Sequence, residues 1–436
     1  MNALLAPAAL AANTPTSRYR YLDFLRALSI LVVMYGHWFL AVVVLRGGQL
    51  QASTLLDVAP PTQWLTWLLQ VMPVFFLVGG YVNAASWASV SAHGDRYAQW
   101  LARRSARLLH PAAALLGVWI PVIAILAGAG VDPQLLRRVG LLVALPLWFL
   151  AVYVAVIAAV PATLALHERF GIKALAGLVA AAAVVDLAHH ALGIPLIGWA
   201  NFAFVWLAVH QLGYLWRDGT LTRAPRTAWL LLAGGLLALA ALTGPGPYPL
   251  SMVGTDTGPT NNTPPTVALI ALSLWQTGLV LVLRAPAERW LRRPRPWRAV
   301  IAVNTVGMTL YLWHLTALIL AVGALVLTGV WPAAPALSSP WWALRPLWLV
   351  ALTAFAIPLV VVFSPVERRA LGVARRAAAP QHAAAAARAI LGTAGVSAGI
   401  GLLIRNSLVS VGLPAALFAT GCVLLGAFDR KGQGRA

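Results

Sequence analysis

An arginine and a histidine stand eleven positions apart in an apolar segment near the start of the chain, Arg26 and His37. Eleven residues come to within ~20° of three helical turns, so a helix places both side chains on one face, ~16 Å apart along its axis. Ionisable groups inside a membrane helix are costly and by default mark a functional path. Histidine accepts a proton from a hydroxyl near neutral pH, so His37 is a candidate general base.

Both residues also have a structural interpretation. Asp23 stands one turn before Arg26, and an i,i+3 ion pair at the membrane boundary would account for both. An arginine near a helix end also extends toward lipid headgroups. A neutral buried histidine can serve helix packing alone, so the residue pattern leaves these interpretations open. If the helix crosses a bilayer, Arg26 is expected near one membrane surface and His37 near the midplane.

Two further groups of side chains have the types needed for chemistry. Arg103, Arg104 and Arg107 open a later apolar segment, where arginines suit an anionic ligand such as a phosphate. Membrane topology also explains basic residues at such a boundary. Tyr311 and His314 stand three positions apart in another apolar segment, so a helix brings a phenol and a second imidazole to one face.

A metal site is not predicted. Asp186 and His190 are four positions apart and could share a metal ion, with His189 beside them, but no third clear ligand accompanies them. These residues are expected to form a hydrogen-bond cluster. Cys422 is the only cysteine, which excludes intrachain disulfides and cysteine metal clusters.

The elements that position these groups are membrane helices. The 436 residues are 61% hydrophobic and only 10% charged, which is far less charge than a soluble protein of this length carries. Apolar runs of membrane-spanning length recur along almost the whole chain, so we expect an all-α, polytopic transmembrane helical bundle. The net charge of +20 comes from arginines in short loops. Because nucleic-acid binding needs a continuous exposed basic face, that function is excluded.

Breaks at Gly, Pro and charged residues divide the chain into about ten core spans and a C-terminal hairpin. We predict a flexible cytoplasmic tail (1–17), a ten-span domain (18–365), a basic linker (366–386) and an accessory hairpin with tail (387–436). The Gly395-x-x-x-Gly399 pattern in the hairpin suits docking on the bundle or dimerisation. The predicted spans are 24–45, 62–90, 98–129, 139–163, 174–192, 195–216, 227–243, 265–284, 299–330, 341–363, 387–404 and 407–427.

The distribution of basic residues predicts the orientation. With the amino terminus in the cytoplasm, 26 of the 31 Lys and Arg residues fall on the inner side. The five on the outer side are Arg46, Arg137, Arg138, Arg345 and Arg405. This asymmetry predicts that both termini are cytoplasmic and that Arg26 lies on the inner side. Few lysines beside many arginines, with abundant Ala and Gly, indicate a bacterial protein of the inner membrane.

Four motifs stand in order along the chain: Leu22-Asp23 followed by Arg26-x10-His37, Phe75-Phe76-Leu77-Val78-Gly79-Gly80-Tyr81, Arg104-x-x-Arg107 with Pro111, and Leu310-Tyr311-Leu312-Trp313-His314. Together these features resemble the acyltransferase-3 family of integral membrane O-acyltransferases, over roughly residues 18–365. That family usually has glycine at the positions of Phe24 and Ala27, and a Ser-Gly pair at Gly79-Gly80, and these departures affect packing more than chemistry.

The resemblance implies transfer of an acyl group, with acetyl expected, from cytoplasmic acyl-CoA to a hydroxyl of a carbohydrate or other acceptor, on or near the outer face. It implies that His37 and Arg26 are the catalytic residues, with His37 as general base or transient acyl carrier and Arg26 on the donor side. Arg103, Arg104 and Arg107 would bind the donor, and Tyr311 or His314 would contact the oxyanion or the acceptor. Acyl-CoA is then a co-substrate, no bound cofactor is expected, and the lipid bilayer is the other partner.

Two other functions are compatible with a polytopic membrane chain. A transporter or exporter of a small amphipathic molecule would also be polytopic, but transporters often carry internal repeats with matching broken helices, and no convincing repeat is present. A membrane scaffold or sensor is disfavoured because the chain leaves no room for a soluble signalling domain.

Overall fold

The structure, a computed structural model, describes residues 14–15, 18–46, 49–92, 97–255, 258–331, 334–376 and 383–428. Most of the predicted tail 1–17, part of the predicted linker 366–386 and the chain from residue 429 lie outside the described residues. The strands are β1 (Ala41–Arg46) and β2 (Gln49–Thr54), and short 3-10 helices cover Pro60–Trp64 and Pro195–Ala200. The described α-helices are α1 (Arg20–Leu40), α2 (Leu55–Val58), α3 (Leu65–Leu69), α4 (Met72–Ala92), α5 (Tyr97–Gly128), α6 (Pro133–Ala144), α7 (Leu147–Phe170), α8 (Ile172–His190), α9 (Asn201–Arg217), α10 (Pro225–Thr243), α11 (Val267–Val282), α12 (Arg284–Leu291), α13 (Pro294–Thr305), α14 (Gly307–Thr328), α15 (Ser339–Arg376), α16 (Ala383–Arg405) and α17 (Gly412–Leu424).

The predicted polytopic helical bundle is confirmed, and the chain is an integral multi-pass membrane protein. Within the described ranges, ten helical segments are long and apolar enough to cross a membrane. The pair α11 and α12 passes the same test as one span, with a bend of 51° between the two helices. The last predicted span corresponds to α17, whose 13 residues are fewer than a bilayer-crossing helix needs.

The first span is shorter than predicted, because the helix ends at Leu40. The run that follows, Ala41-Val42-Val43-Val44-Leu45, is rich in β-branched residues, which favour a strand. β1 pairs with β2 in a register that joins Arg46 to Gln49, so two residues connect the strands, and both are glycine in the sequence. The prediction of a helix through residue 45 was wrong. His37 consequently lies in the last turn of α1, not near the middle of the span.

The chain divides into two compact units, each described here by itself. The first comprises residues 1–85, 162–305 and 332–345, and the second comprises residues 86–161, 306–331 and 346–436. α1, the two strands and α8 to α13 belong to the first unit. α5, α6, α14, α16 and α17 belong to the second, while α4, α7 and α15 contribute residues to both.

The core of the first unit surrounds the beginning of α1. Tyr21 is only 2% exposed, and its hydroxyl donates a hydrogen bond to the Val280 carbonyl of α11 at 2.6 Å. The Tyr21 ring also lies edge-on to Trp216 of α9, with ring centroids 6.2 Å apart. Because buried aromatic rings contribute large apolar area, these contacts hold the N-terminal half of α1 against α9 and α11.

Glycines permit the closest helix crossing in the first unit. A Cβ atom on Gly80 of α4 would overlap the His210 carbonyl oxygen of α9, and one on Gly213 would overlap the Leu77 carbonyl oxygen. Only glycine therefore fits at these two positions. At the same crossing, the Asn83 Nδ2 atom lies 3.1 Å from the His210 Nε2 atom.

The second unit places α14 among α5, α7 and α15. Trp119 of α5 donates its indole hydrogen to the Thr316 hydroxyl of α14 at 3.0 Å. Trp313 of α14 stacks on Phe363 of α15, with ring centroids 3.7 Å apart and planes inclined by 11°. These contacts fix the sides of α14 at Trp313 and Thr316, which lie about 100° or more around the helix from Tyr311 and His314.

The ninth span begins at Gly307, eight residues later than predicted, because the chain breaks between α13 and α14. Glu367 of α15 caps the new helix start. Its Oε1 atom accepts from the Met308 N–H at 3.1 Å, and its Oε2 atom accepts from the Thr309 N–H at 2.9 Å and hydroxyl at 2.7 Å. The carboxylate thus satisfies donors that a helix N-terminus leaves without partners, where negative charge is favourable. α15 itself continues to Arg376, so the first part of the predicted linker 366–386 is helical.

The C-terminal hairpin is held together by small residues. Gly395 and Gly399 of α16 lie against Gly421 and Phe418 of α17. The predicted Gly395-x-x-x-Gly399 face therefore packs inside the hairpin, not on the bundle or on a second copy. The Ser397 hydroxyl donates to the Ala151 carbonyl of α7 at 2.8 Å, so another face of the hairpin packs on α7 within the second unit.

Candidate active site

Arg26 and His37 both lie on α1, as their spacing predicts. Arg26 stands in the second turn and is exposed, whereas His37 stands in the last turn and is half-buried. The eleven residues between them correspond to a rise of ~16 Å. The two side chains are thus separate positions along one helix of the first unit, and they are too far apart to act on the same atom.

The hydrogen bonding of His37 indicates a neutral ring in which one nitrogen donates and the other carries a lone pair. Its ring is hydrogen-bonded to the main chain of Val33, one turn earlier. Inside a helix, the main-chain atom within reach of a side chain four residues later is the carbonyl oxygen, so one ring nitrogen donates its proton there. A neutral imidazole has one N–H, and the other ring nitrogen therefore carries a lone pair. This tautomer is the one that a general base requires.

The ion pair between Asp23 and Arg26 that the sequence allowed is not formed. The Asp23 carboxylate instead accepts a hydrogen bond from the Arg18 Nε atom at 2.6 Å. This hydrogen bond, together with the charge of Asp23, outweighs desolvation and raises the pKa of the Arg18 guanidinium. Asp23 is therefore paired with Arg18 and not with Arg26, whose side chain is exposed.

An arginine that sequence analysis counted only as an outer-side charge lies at the end of α1. Arg345 is 7% exposed, its Nη2 atom donates to the Ala41 carbonyl at 2.6 Å, and its guanidinium lies 3.7 Å from the Trp341 ring centroid. Its buried Nε atom has no hydrogen-bond partner among the described residues. Ala41 is the C-terminal cap of α1, where a cation is favourable. The sequence signal was an ionisable residue inside an apolar run, which by default indicates function.

The three arginines predicted to bind the donor lie together on α5, in the second unit. Arg103 and Arg104 are half-buried, and Arg107 is exposed. The Arg104 guanidinium lies 5.9 Å from the Trp100 ring centroid, and Trp100 donates its indole hydrogen to the Ser86 hydroxyl at 3.1 Å. Because α5 is already helical at Tyr97, the arginines stand in its second and third turns. The partial charge of a helix end fades within the first turn, so any anion binding here depends on the guanidinium charges themselves.

Tyr311 and His314 share a face of α14 in the second unit, as predicted, and both are buried. The Tyr311 hydroxyl donates its proton to the Pro146 carbonyl at 3.0 Å, at the break between α6 and α7. The His314 Nδ1 atom lies 2.7 Å from the Tyr311 carbonyl oxygen. Since a carbonyl only accepts, Nδ1 carries the proton of the neutral His314 ring and Nε2 carries the lone pair.

Each predicted set of site residues is thus assembled within one unit. Arg26 and His37 lie in the first unit, together with Arg345, which sequence analysis missed as a site residue. The three arginines of α5 and the pair on α14 lie in the second unit. Glu367, which caps α14 one turn before Tyr311, was also missed, although an acidic residue at the end of an apolar run is an available signal.

Asp186 forms a hydrogen-bond cluster, but its partners among the described residues are not the predicted histidines: His189 Nδ1 instead lies 3.1 Å from the Ile194 carbonyl oxygen. One carboxylate oxygen accepts from the Asn201 amide at 2.7 Å, and the other accepts from the Tyr248 hydroxyl and the Val267 N–H, both at 2.8 Å. Burial first, and then this bond to Asp186, raise the pKa of the Tyr248 phenol. In the part of the chain that the structure describes, no group of three or more His, Cys, Asp or Glu side chains could hold a metal ion.

A second polar network lies on α7 and α9 of the first unit. The Gln211 amide donates to the His167 Nδ1 atom at 2.7 Å, so His167 in turn donates from Nε2 to Asp218 at 3.0 Å. The Tyr214 and Thr163 hydroxyls lie 2.9 Å apart. These bonds satisfy groups buried at a helix interface, and they connect neighbouring helices.

Comparison with known proteins gives one match. A family model described as an acyltransferase domain matches residues 19–365. No curated protein and no solved structure matches the chain. The matched range includes the candidate residues of both units and ends before the C-terminal hairpin.

Proposed function

Because this chain belongs to the acyltransferase-3 family and is a multi-span membrane acyltransferase, we propose that it transfers an acyl group, acetyl in the first instance, from acyl-CoA to a hydroxyl. The donor is bound from the cytoplasmic side, and the acceptor is a carbohydrate or another hydroxyl compound on or near the outer face. The distribution of basic residues supports this orientation, because 26 of the 31 Lys and Arg residues fall on the inner side when both termini are taken as cytoplasmic.

His37 is the catalytic base in this proposal. Its lone-pair nitrogen removes the proton of the acceptor hydroxyl, whose oxygen attacks the thioester carbonyl. The new C–O bond forms as the C–S bond breaks, and the proton held by His37 passes to the departing CoA thiolate. A variant of this path has His37 carry the acyl group transiently before the hydroxyl takes it.

The position of His37 in the last turn of α1 is the observation that carries the proposal. The residue stands at the end of the span opposite to the basic N-terminal end, and its hydrogen bond to Val33 uses one ring nitrogen as donor, so the other carries the lone pair. A base placed there suits an acceptor that approaches from the outer side. The two-sided arrangement of donor and acceptor follows from that position.

The arginines bind the donor. Exposed Arg26 lies on the inner half of α1, and Arg103, Arg104 and Arg107 form a cationic group on α5. Guanidinium groups suit the diphosphate of CoA, because they donate in pairs to phosphate oxygens. His314 is proposed as an acceptor contact. Tyr311, whose hydroxyl proton is committed to Pro146, is proposed to hold the site in shape without contacting the oxyanion.

The test is acyl transfer by the His37→Gln variant. Membrane vesicles from cells that express the protein are given acetyl-CoA with a radiolabelled acetyl group, and label incorporated into vesicle material is counted. We expect a loss of at least about 100-fold, as for removal of a general base. His110→Gln is the matched control, because His110 forms the same kind of bond to a main-chain carbonyl one turn earlier, with 2.8 Å to Ala106. Full transfer by His37→Gln would disprove this mechanism.

A further inference from the structure

The first unit contains an open cavity where α12 meets α13, with mostly apolar walls and three arginines among its lining residues. Its volume is about 610 Å³, within the usual range for small-molecule sites. None of the lining residues belongs to the candidate active site described above. The cavity, named here the Trp290 cavity, is lined by Trp290, Arg293, Pro294, Arg295, Pro296 and Arg298.

The lining offers two kinds of recognition. Arg293, Arg295 and Arg298 are exposed, and no acidic residue lines the cavity. Glu288, the acidic residue of α12, is already paired with Arg284 at 2.9 Å. The Trp290 indole is 44% exposed and lies beside two prolines. A flat apolar wall suits a stacked heterocyclic base, and the surrounding guanidinium groups suit phosphate.

The cavity is connected to the helix that carries the proposed catalytic base. The Trp290 ring packs edge-on against Phe24 of α1, with centroids 5.7 Å apart. Arg20 of α1 donates to the Leu291 carbonyl at 2.9 Å. From Phe24 to His37 the helix rises ~20 Å, so a ligand that is bound at the cavity and reacts at His37 must have a long arm.

We propose that the Trp290 cavity binds the adenosine 3′-phosphate end of the acyl-CoA donor. The adenine stacks on Trp290, and the ribose phosphate is held by Arg293, Arg295 and Arg298. The pantetheine arm then extends along α1 past Arg26 toward His37. This inference rests on the proposed use of acyl-CoA, and it deepens that proposal by giving the nucleotide its own site.

Topology alone accounts for basic residues in an inner loop, but it does not account for their arrangement. The positive-inside rule requires only charge near the membrane. It does not require a cavity of ligand size, an indole at its wall or two prolines beside that indole. Anionic lipid headgroups share the phosphate chemistry but have no aromatic base, so stacking on Trp290 favours the nucleotide.

The test is CoA binding to the purified full chain in nanodiscs, measured by calorimetry with CoA and with dephospho-CoA, which lacks the 3′-phosphate. The double variant R293Q/R295Q is compared with R289Q/R292Q, which removes two exposed arginines of the same segment that do not line the cavity. We expect R293Q/R295Q to bind CoA at least about tenfold more weakly, the effect of one lost charge-assisted hydrogen bond. It should also discriminate less between the two probes, while R289Q/R292Q behaves as wild type. W290A should weaken both probes equally.

Three outcomes would overturn the inference. If R293Q/R295Q and R289Q/R292Q weaken CoA binding equally, the basic segment attracts CoA by its overall charge and the cavity is not a specific site. Unchanged CoA binding by R293Q/R295Q, with reduced retention of phosphatidylglycerol, would assign the cavity to lipid. If R293Q/R295Q discriminates between CoA and dephospho-CoA as strongly as wild type does, the 3′-phosphate binds elsewhere. These results differ from failure of the proposed function itself, in which wild type binds no CoA or His37→Gln still transfers the acyl group. Thermal unfolding of every variant shows that it is folded.

Discussion

The Asp23 carboxylate of α1 accepts a hydrogen bond from Arg18 across 2.6 Å, so Arg26, three residues further along the helix, stands clear of it. This relationship separates two interpretations that the sequence left open. An arginine held by Asp23 would be a structural residue at the membrane boundary. An exposed arginine on the proposed donor side of the same helix is available to a ligand, and the two residues therefore have different expected roles.

Substitution of the two residues should give different results. Asp23→Asn removes a bond to an arginine that is 44% exposed, so the free energy of unfolding should change by less than about 1 kcal/mol, with acyl transfer retained. Arg26→Gln should lower kcat/KM for acyl-CoA at least about tenfold, because a charged donor to phosphate is lost. Acyl transfer at varied acyl-CoA concentration and thermal unfolding measure both effects. An equal loss of transfer in the two variants would indicate that Arg26 acts with Asp23 as a structural pair.

The Tyr311→Phe variant tests whether the phenol touches the reacting atoms. Its hydroxyl proton is committed to the Pro146 carbonyl, so removal should cost about 1–2 kcal/mol of stability by leaving that buried carbonyl without its donor. The transfer rate at a temperature where the protein is folded should change by less than about threefold. Loss of an oxyanion donor costs about 100-fold or more, and a drop of that size would assign Tyr311 to catalysis.

Much of the fold follows from residue patterns because membrane spans have a strong and simple signal. Long apolar runs and their basic boundaries predict the spans, since lipid demands satisfied backbone groups and topology demands inner-side charge. The spacing of Arg26 and His37 likewise predicts a shared helix face. Helix ends were the weak point. The Val42-Val43-Val44 run followed by two glycines is itself a hairpin signal, but it was outweighed by the apolar length of the segment.

Residues whose roles depend on distant contacts could not be predicted. Arg345 meets Ala41 through tertiary packing between segments 304 positions apart, and Glu367 caps a helix that begins 60 positions earlier. No spacing rule relates such residues, because neither pair shares a helix or a hairpin. The local signal was only that each is an ionisable residue in or beside an apolar run, which indicates a function without indicating a partner.

The Tyr248 phenol provides a prediction for pH dependence. Burial and its hydrogen bond to Asp186 raise its pKa above the ordinary value of about 10. The folded state then binds the proton more tightly than the unfolded state, so the contribution to stability is complete below about pH 10 and is lost as pH rises toward the folded pKa. The difference in Tm between wild type and Tyr248→Phe should therefore be constant below about pH 9 and shrink above about pH 10. A difference that grows with alkalinity would contradict this sign.

Arg345 provides the last prediction, because it links the end of α1 to α15 by one buried cation. Arg345→Ala removes a charged hydrogen bond to the Ala41 carbonyl and a contact with the Trp341 ring, so it should cost about 2–4 kcal/mol of stability. It should also lower acyl transfer, because the last turn of α1 holds His37. Arg345→Lys keeps the charge and a donor at the helix end, and it should restore most of the transfer rate, whereas Arg345→Gln should not.

The measurement is the transfer rate of each Arg345 variant, taken below its own unfolding temperature. Arg405→Gln is the control, since Arg405 is an exposed arginine also assigned to the outer side and should leave the rate unchanged. Rescue by lysine together with failure of glutamine identifies charge at the end of α1 as the requirement, which a purely steric contact would not show. If glutamine restores the rate as well as lysine does, Arg345 acts only as a hydrogen-bond donor, and the cation has no part in positioning His37.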